Sequence, residues 1–169
     1  MRDADAVLED WFVGEVGGEA MFWVLAQRSE PEHARKWLAL AEVESQVAGR
    51  IAAVMASRNQ AIPECTQDFD RARARCDAVS GRSWPELMQW LQEIAADALN
   101  EMRADAARLP AELIAMGDLV VAHERALVEF AELEMAGRGT DSLRPVQKFL
   151  SLLSGRAGRE HVVGDDVIQ

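Results

Sequence analysis

The chain predicts an all-α fold, and three observations carry the expectation. Apolar residues recur at helical spacing through four long segments. Proline or glycine stands at most of the junctions between them, with Pro31, Pro85 and Pro110 opening segments and Gly137 or Gly139 closing one. No uncharged apolar run is long enough to span a bilayer. The expected architecture is one helical bundle domain over residues 1–155, with a long crossover between the second and third long helices. A short fifth helix follows, and residues 156–169 form a flexible tail.

Composition narrows the function classes. With 169 residues, 49% of them hydrophobic, the chain can bury one proper core. A formal net charge of −11 argues against nucleic acid or an anionic membrane as the main partner. Arg2, Asp3 and Asp5 stand where the apolar core of a signal peptide would begin, so the cytoplasm is the expected location. Cys65 and Cys76 form no CxxC pattern. Two free thiols are expected, and a disulfide is unforced.

The first long helix is expected from about Asp3 to Arg28. Phe12, Val16, Trp23 and Ala26 make its stripe, Glu19 lies among them and Glu15 sits at the edge. Gly14, Gly17 and Gly18 project from the other side, as small residues do where another backbone comes close; a fifth helix or a second subunit would fit there. The alternative is a bend or break. Ser29, Glu30 and Pro31 then start a second helix that runs to about Ser57, close behind the first, so the two should pack antiparallel. Trp37, Leu40, Ala41, Ala48, Ile51 and Met55 share its inner face with Glu44 at the centre. His33, in the first turn, is read as a capping residue.

Residues 57–83 are the crossover, broken at Pro63. QDFDRARARCDAV has the makings of a short helix whose Arg71, Arg73 and Arg75 form a solvated face. The third long helix starts at Ser83, an N-cap, and runs to about Leu109. Leu87, Leu91, Ile94, Ala98 and Met102 form its stripe, with Glu101 on the margin and Asp105 near the end. The fourth is LIAMGDLVVAHERALVEFAELEMAG, residues 113–137. A helix turns about 100° per residue, which gathers Leu113, Val120, Val121, Leu127, Val128 and Ala131 around Glu124. Leu143 to Leu153 make the short fifth helix.

Three helices thus each carry a glutamate at the middle of an apolar face: Glu19, Glu44 and Glu124. A buried, unpaired carboxylate must be paired, protonated or ligated. Singly, each could reach a helix end or bond a tryptophan N–H. Together they point to a site where carboxylates meet, and iron or manganese suits such ligands. His123 lies about 100° round from Glu124 and would reach in only from the side. The plainer reading, and the favoured one, is a flank histidine bonded to a neighbouring carboxylate.

GEVGGEAMFWVLA, KWLALAEVESQ and VVAHERALVEFAELEMAG, in this order and spacing, resemble the ferritin-like superfamily, which includes the rubrerythrins and the di-iron carboxylate oxidases. The resemblance covers most of residues 9–155. It implies an up-down-down-up four-helix bundle and a ligand set of Glu19, Glu44 and Glu124, with Glu101 from the third long helix. The chain departs from the family where a histidine follows three residues after the glutamates of the second and fourth helices: Val47 and Leu127 stand there.

Three functions follow as expectations. The first is a metalloprotein with one or two iron or manganese ions, in the manner of an oxidoreductase, using Glu19, Glu44 and Glu124 with Glu15, Glu101 or His123 assisting. The second is a non-enzymatic bundle that associates as a homodimer or with a basic partner. The third is a bundle that orients a small polar ligand in an apolar cavity.

Overall fold

The computed structural model describes residues 3–160, all of whose regular structure is helical. Helix α1 spans Ala4–Gln27, α2 Pro31–Ser57, α3 Asp68–Ala78, α4 Trp84–Ala106, α5 Ile114–Met135 and α6 Arg144–Glu160, with a 3-10 turn over Ala111–Leu113. No helix among the described residues is long and apolar enough to cross a membrane.

The boundaries follow local chemistry. Pro31 sits in the first turn of α2, where its missing N–H costs nothing. At the start of α4 the Ser83 N–H and hydroxyl donate to Glu86 Oε2 at 2.7 and 2.6 Å, the reach-back of a capping box. Helix α5 closes with Gly137 at φ +71°. The Gly137 and Arg138 N–H groups return to the Glu134 and Leu133 carbonyls at 3.0 and 2.9 Å, the pairing of a Schellman cap.

Helix α1 packs along α2, and α4 along α5. Gly117 makes the second pairing tight, since a Cβ there would stand 3.0 Å from that of Ala106. Trp37 is fully buried in the core. Its ring stacks on Phe22 with centroids 5.6 Å apart, meets Trp84 edge-on at 5.2 Å, and its N–H donates to Ser29 Oγ. Such aromatic pairs contribute about 0.5–1.5 kcal/mol beyond the area they bury.

The connection between α2 and α4 holds the expected short helix, α3, which packs on α1. Ala72, Cys76 and Val79 are its buried side, and Arg71, Arg73 and Arg75 are exposed. Both cysteines are free thiols. Helix α6 packs on α5 through Val146, Phe149 and Leu153. It continues to Glu160, past the end expected near Leu153; the remainder of the predicted tail, from residue 161, lies outside the described residues.

Two expectations about α1 are corrected. The helix runs unbroken through its glycines, and within this chain Gly14 and Gly17 have nothing within 4 Å of where a Cβ would stand, so of the two expected neighbours no described helix packs there and only a second subunit still fits. Gly18 does meet a neighbour, but a side chain rather than a backbone: the Glu44 carboxyl carbon lies 2.8 Å from its would-be Cβ. The inner face is also different. Leu8, Trp11, Glu15 and Phe22 point inward, while Phe12 and Val16 are half-buried and Trp23 is 44% exposed.

Candidate metal centre

Four ionisable side chains from three helices meet in the interior: Glu15 of α1, Glu44 of α2, and His123 and Glu124 of α5. They are 1%, 4%, 0% and 7% exposed. His123 Nδ1 lies 3.5 Å from Glu15 Oε1, and its Nε2 lies 3.4 Å from Glu44 Oε1. The imidazole therefore stands between two carboxylates. One ligand atom from each of Glu15, Glu44 and His123 lies within 4.8 Å of the other two. Both oxygens of Glu15, both nitrogens of His123 and Oε2 of Glu124 make no hydrogen bond within the protein.

Crowding and burial shape the protonation. Burial pushes the Glu15 carboxyl well above its ordinary range, and the Glu44 and Glu124 charges push it further. Burial raises Glu124 too; His123 pulls it back, Glu44 adds to the rise, and the result is about 7. For His123 burial works downward, but the attraction of Glu44 and Glu124 wins and its pKa ends raised.

Glu15, Glu44, Glu124 and His123 of the predicted set come together; Glu19 and Glu101 do not join them. Glu19 is half-buried and lines a separate shallow groove with Val16, Trp23, Cys65 and Phe69. It follows Glu15 by four residues, which rotates it about 40° off that line. With Leu8, Trp11 and Phe22 facing inward, Glu15 falls at the centre. Glu101 is exposed on α4. His33 does not cap α2: its ring lies flat on Trp84, with centroids 3.8 Å apart and planes within 2°. His161 lies outside the described residues.

No known protein family, curated protein or solved structure matches the chain.

His123 was the least expected member of the cluster. Met116, His123 and Phe130 recur every seven residues on α5, and all three are buried. Phe149 of α6 closes over that flank, its ring centroid 6.0 Å from that of His123. The seven-residue recurrence was the available signal; the covering helix is what turns a flank into core.

Two carboxylates and an imidazole form a mixed hard and borderline donor set, suited to iron, manganese or zinc in the divalent state. Donor atoms on one such ion, each about 2.1 Å from it, lie roughly 3 to 4 Å apart. The observed spacing is close to that range. The unpaired oxygens of Glu15 and one ring nitrogen of His123 are the atoms an ion would use, and Glu124 stands beside them at the cavity wall. The residues fit one ion better than two.

A cavity of about 470 Å³ leads to the cluster between α1 and α4. Trp11, Met21, Leu91, Ile94, Ala98 and Met102 supply much of its apolar wall, and Glu15, Glu44 and Glu124 open onto it. Ile94, Ala98 and Met102 were expected in a core stripe. They are only partly covered because α4 stands off α1 across this space. Gly18 borders the cavity as well, so its bare backbone gives the Glu44 carboxylate room to reach the centre.

Proposed function

We propose that this chain is a ferritin-like four-helix metalloprotein. It holds one divalent transition-metal ion on Glu15, Glu44 and His123, with Glu124 beside them at the cavity wall, and admits a small molecule through the neighbouring cavity. The observation that carries this reading is the set of unpaired donor atoms on Glu15 and His123, buried within 4.8 Å of Glu44 and of each other. A protein that only needed a core at this point would be better served by apolar side chains, because unpaired buried charge is costly.

The departure from the ferritin-like ligand pattern supports a single ion. Val47 and Leu127, where that pattern places histidines, are buried apolar residues, and His123 brings an imidazole to the cluster from the position just before Glu124. A bound iron or manganese ion would supply redox chemistry, and zinc would act as a Lewis acid. The chain's own residues hold the ion, exclude bulk water and offer Glu124 as a proton acceptor or donor at the cavity wall.

Metal analysis of protein purified without chelator tests the proposal. Close to one equivalent of iron, manganese or zinc is expected, and Glu44→Ala or His123→Ala should lose most of it. Metal-free protein that stays metal-free after incubation with each ion would overturn the reading.

A second reading, association between copies of the chain, has one observation in its favour. Trp23 and Phe69, 44% and 54% exposed, flank one groove on the α1 side. Light scattering on the wild type and on Trp23→Ala separates monomer from dimer.

A further inference from the structure

The cavity differs from an ordinary apolar pocket in the carboxyl groups along its lining. Glu15, Glu44 and Glu124 open onto its inner end, and Glu101 also lies along its lining, as does Asp105, which pairs with Arg108 at 3.9 Å. Arg75 is the one cationic side chain among its described lining residues. A divalent ion on Glu15, Glu44 and His123 offsets two of these carboxylates and leaves Glu124 facing the space. Glu124 is 7% exposed and its Oε2 has no hydrogen-bond partner in the protein. The residue lines the inner end of the cavity as a buried carboxyl group.

We infer that the cavity selects a small organic cation, a primary amine on an apolar body, with the ammonium on Glu124 and the body along Leu91, Ile94, Ala98 and Met102. The assignment uses the same cavity as the proposed function, but it does not require a metal to be bound.

Size, polarity and charge agree. A volume of about 470 Å³ lies within the range of roughly 300–1,000 Å³ typical of small-molecule pockets. An ammonium offers three donors to a carboxylate that otherwise has an orphaned oxygen. A ligand carboxylate would meet Glu124 in a poorly solvated space, where like charges repel far more strongly than in water. A neutral alcohol would fill the same walls without the charge-assisted bond, which is about twice as strong as a neutral one.

Three isosteric probes test the inference: hexylamine, hexanol and hexanoate, each titrated by calorimetry at about pH 8 into chelator-treated protein and again into protein loaded with manganese. Hexylamine should bind at least about tenfold more tightly than hexanol in both forms, and hexanoate should bind most weakly. Glu124→Gln, which keeps the shape, should bring hexylamine down to the level of hexanol. Glu101→Gln, on an exposed residue that folding does not depend on, should weaken hexylamine about twofold at low salt and leave hexanol unchanged.

Equal binding of all three probes, or a preference for hexanoate, would overturn the inference. So would a preference that survives Glu124→Gln, or hexylamine that binds only by displacing manganese. The two readings fail separately. Protein that takes up no metal but still prefers the amine removes the metalloprotein alone, and protein that binds metal but shows no amine preference removes only the cationic ligand.

Discussion

Gly18 is the residue on which the shape of the cluster turns. Its missing side chain leaves the space that the Glu44 carboxyl group occupies, and a Cβ there would lie 2.8 to 3.1 Å from three of that group's atoms. Those atoms are the far end of a flexible side chain, so Gly18→Ala should displace Glu44 rather than disrupt the helix. Alanine in a helix interior is itself favoured over glycine by about 1 kcal/mol. The expected result is a split: unfolding of the metal-free protein nearly unchanged or slightly harder, and metal affinity down by about tenfold or more because one donor is out of place. Parallel denaturant melts and metal titrations measure both. A loss of stability with no loss of affinity would mean that Gly18 serves packing alone. Glycines at 14, 17 and 18 were visible as a cluster in the sequence. Which of them met a neighbour, and that the neighbour was a carboxylate on another helix, depended on how the two helices were rotated, and no spacing rule supplies that.

At the scale of elements, the difference between α1 and α2 explains what could be read in advance. Helix α2 alternates sharply between apolar and charged faces, so the wheel placed Trp37, Leu40, Ile51 and Met55 inside with Glu44 among them, and all are buried. Helix α1 is apolar on most of its circumference because it serves α2 on one side and α3 on another. Its wheel therefore has no sharp direction, and the stripe through Phe12, Val16 and Trp23 led to Glu19 in place of Glu15. The same limit hid a second polar junction, which joins α2, α4 and α5. There Lys36 Nζ donates to Glu134 Oε1 at 2.6 Å and the Trp84 N–H donates to Glu134 Oε2 at 2.8 Å. Burial would raise the Glu134 pKa, but the bonds from Lys36, Ser142 and Trp84 win and hold it below the usual carboxylate value. The Lys36 and Glu134 side chains are 9% and 4% exposed. Glu134→Ala would leave the Lys36 ammonium with Glu32 alone, at 3.9 Å, and the indole N–H without its acceptor, and should cost about 2–3 kcal/mol of stability in denaturant melts. Loss of less than about 1 kcal/mol would show that water replaces the carboxylate there without strain.

The buried cluster of Glu15, Glu44, His123 and Glu124 gives the whole molecule a pH dependence of unusual sign. In the metal-free protein Glu15, Glu124 and His123 all have raised pKa values, Glu124 at about 7. A carboxylate whose folded pKa exceeds its unfolded one binds a proton more tightly when folded, so its burial is a liability at high pH and is relieved as pH falls through the folded value. A histidine with a raised folded pKa adds stability that is complete below its unfolded value and is lost as pH rises through the folded one. The three groups act in the same direction, and metal-free protein should gain stability as pH falls from about 8 to about 5.5. The gain should be of the order of a few kcal/mol, or several degrees in melting temperature. A bound ion does the work of those protons and requires deprotonated ligands, so its stabilisation should be largest at about pH 8 and fade toward the acid side. Melting curves recorded across this window with chelator and with manganese should therefore converge, the metal-free midpoint rising as the metal-loaded one falls. Glu124→Gln should flatten the metal-free slope. Flat, superimposed curves, with metal and without, would show that the cluster neither takes up protons nor binds the ion.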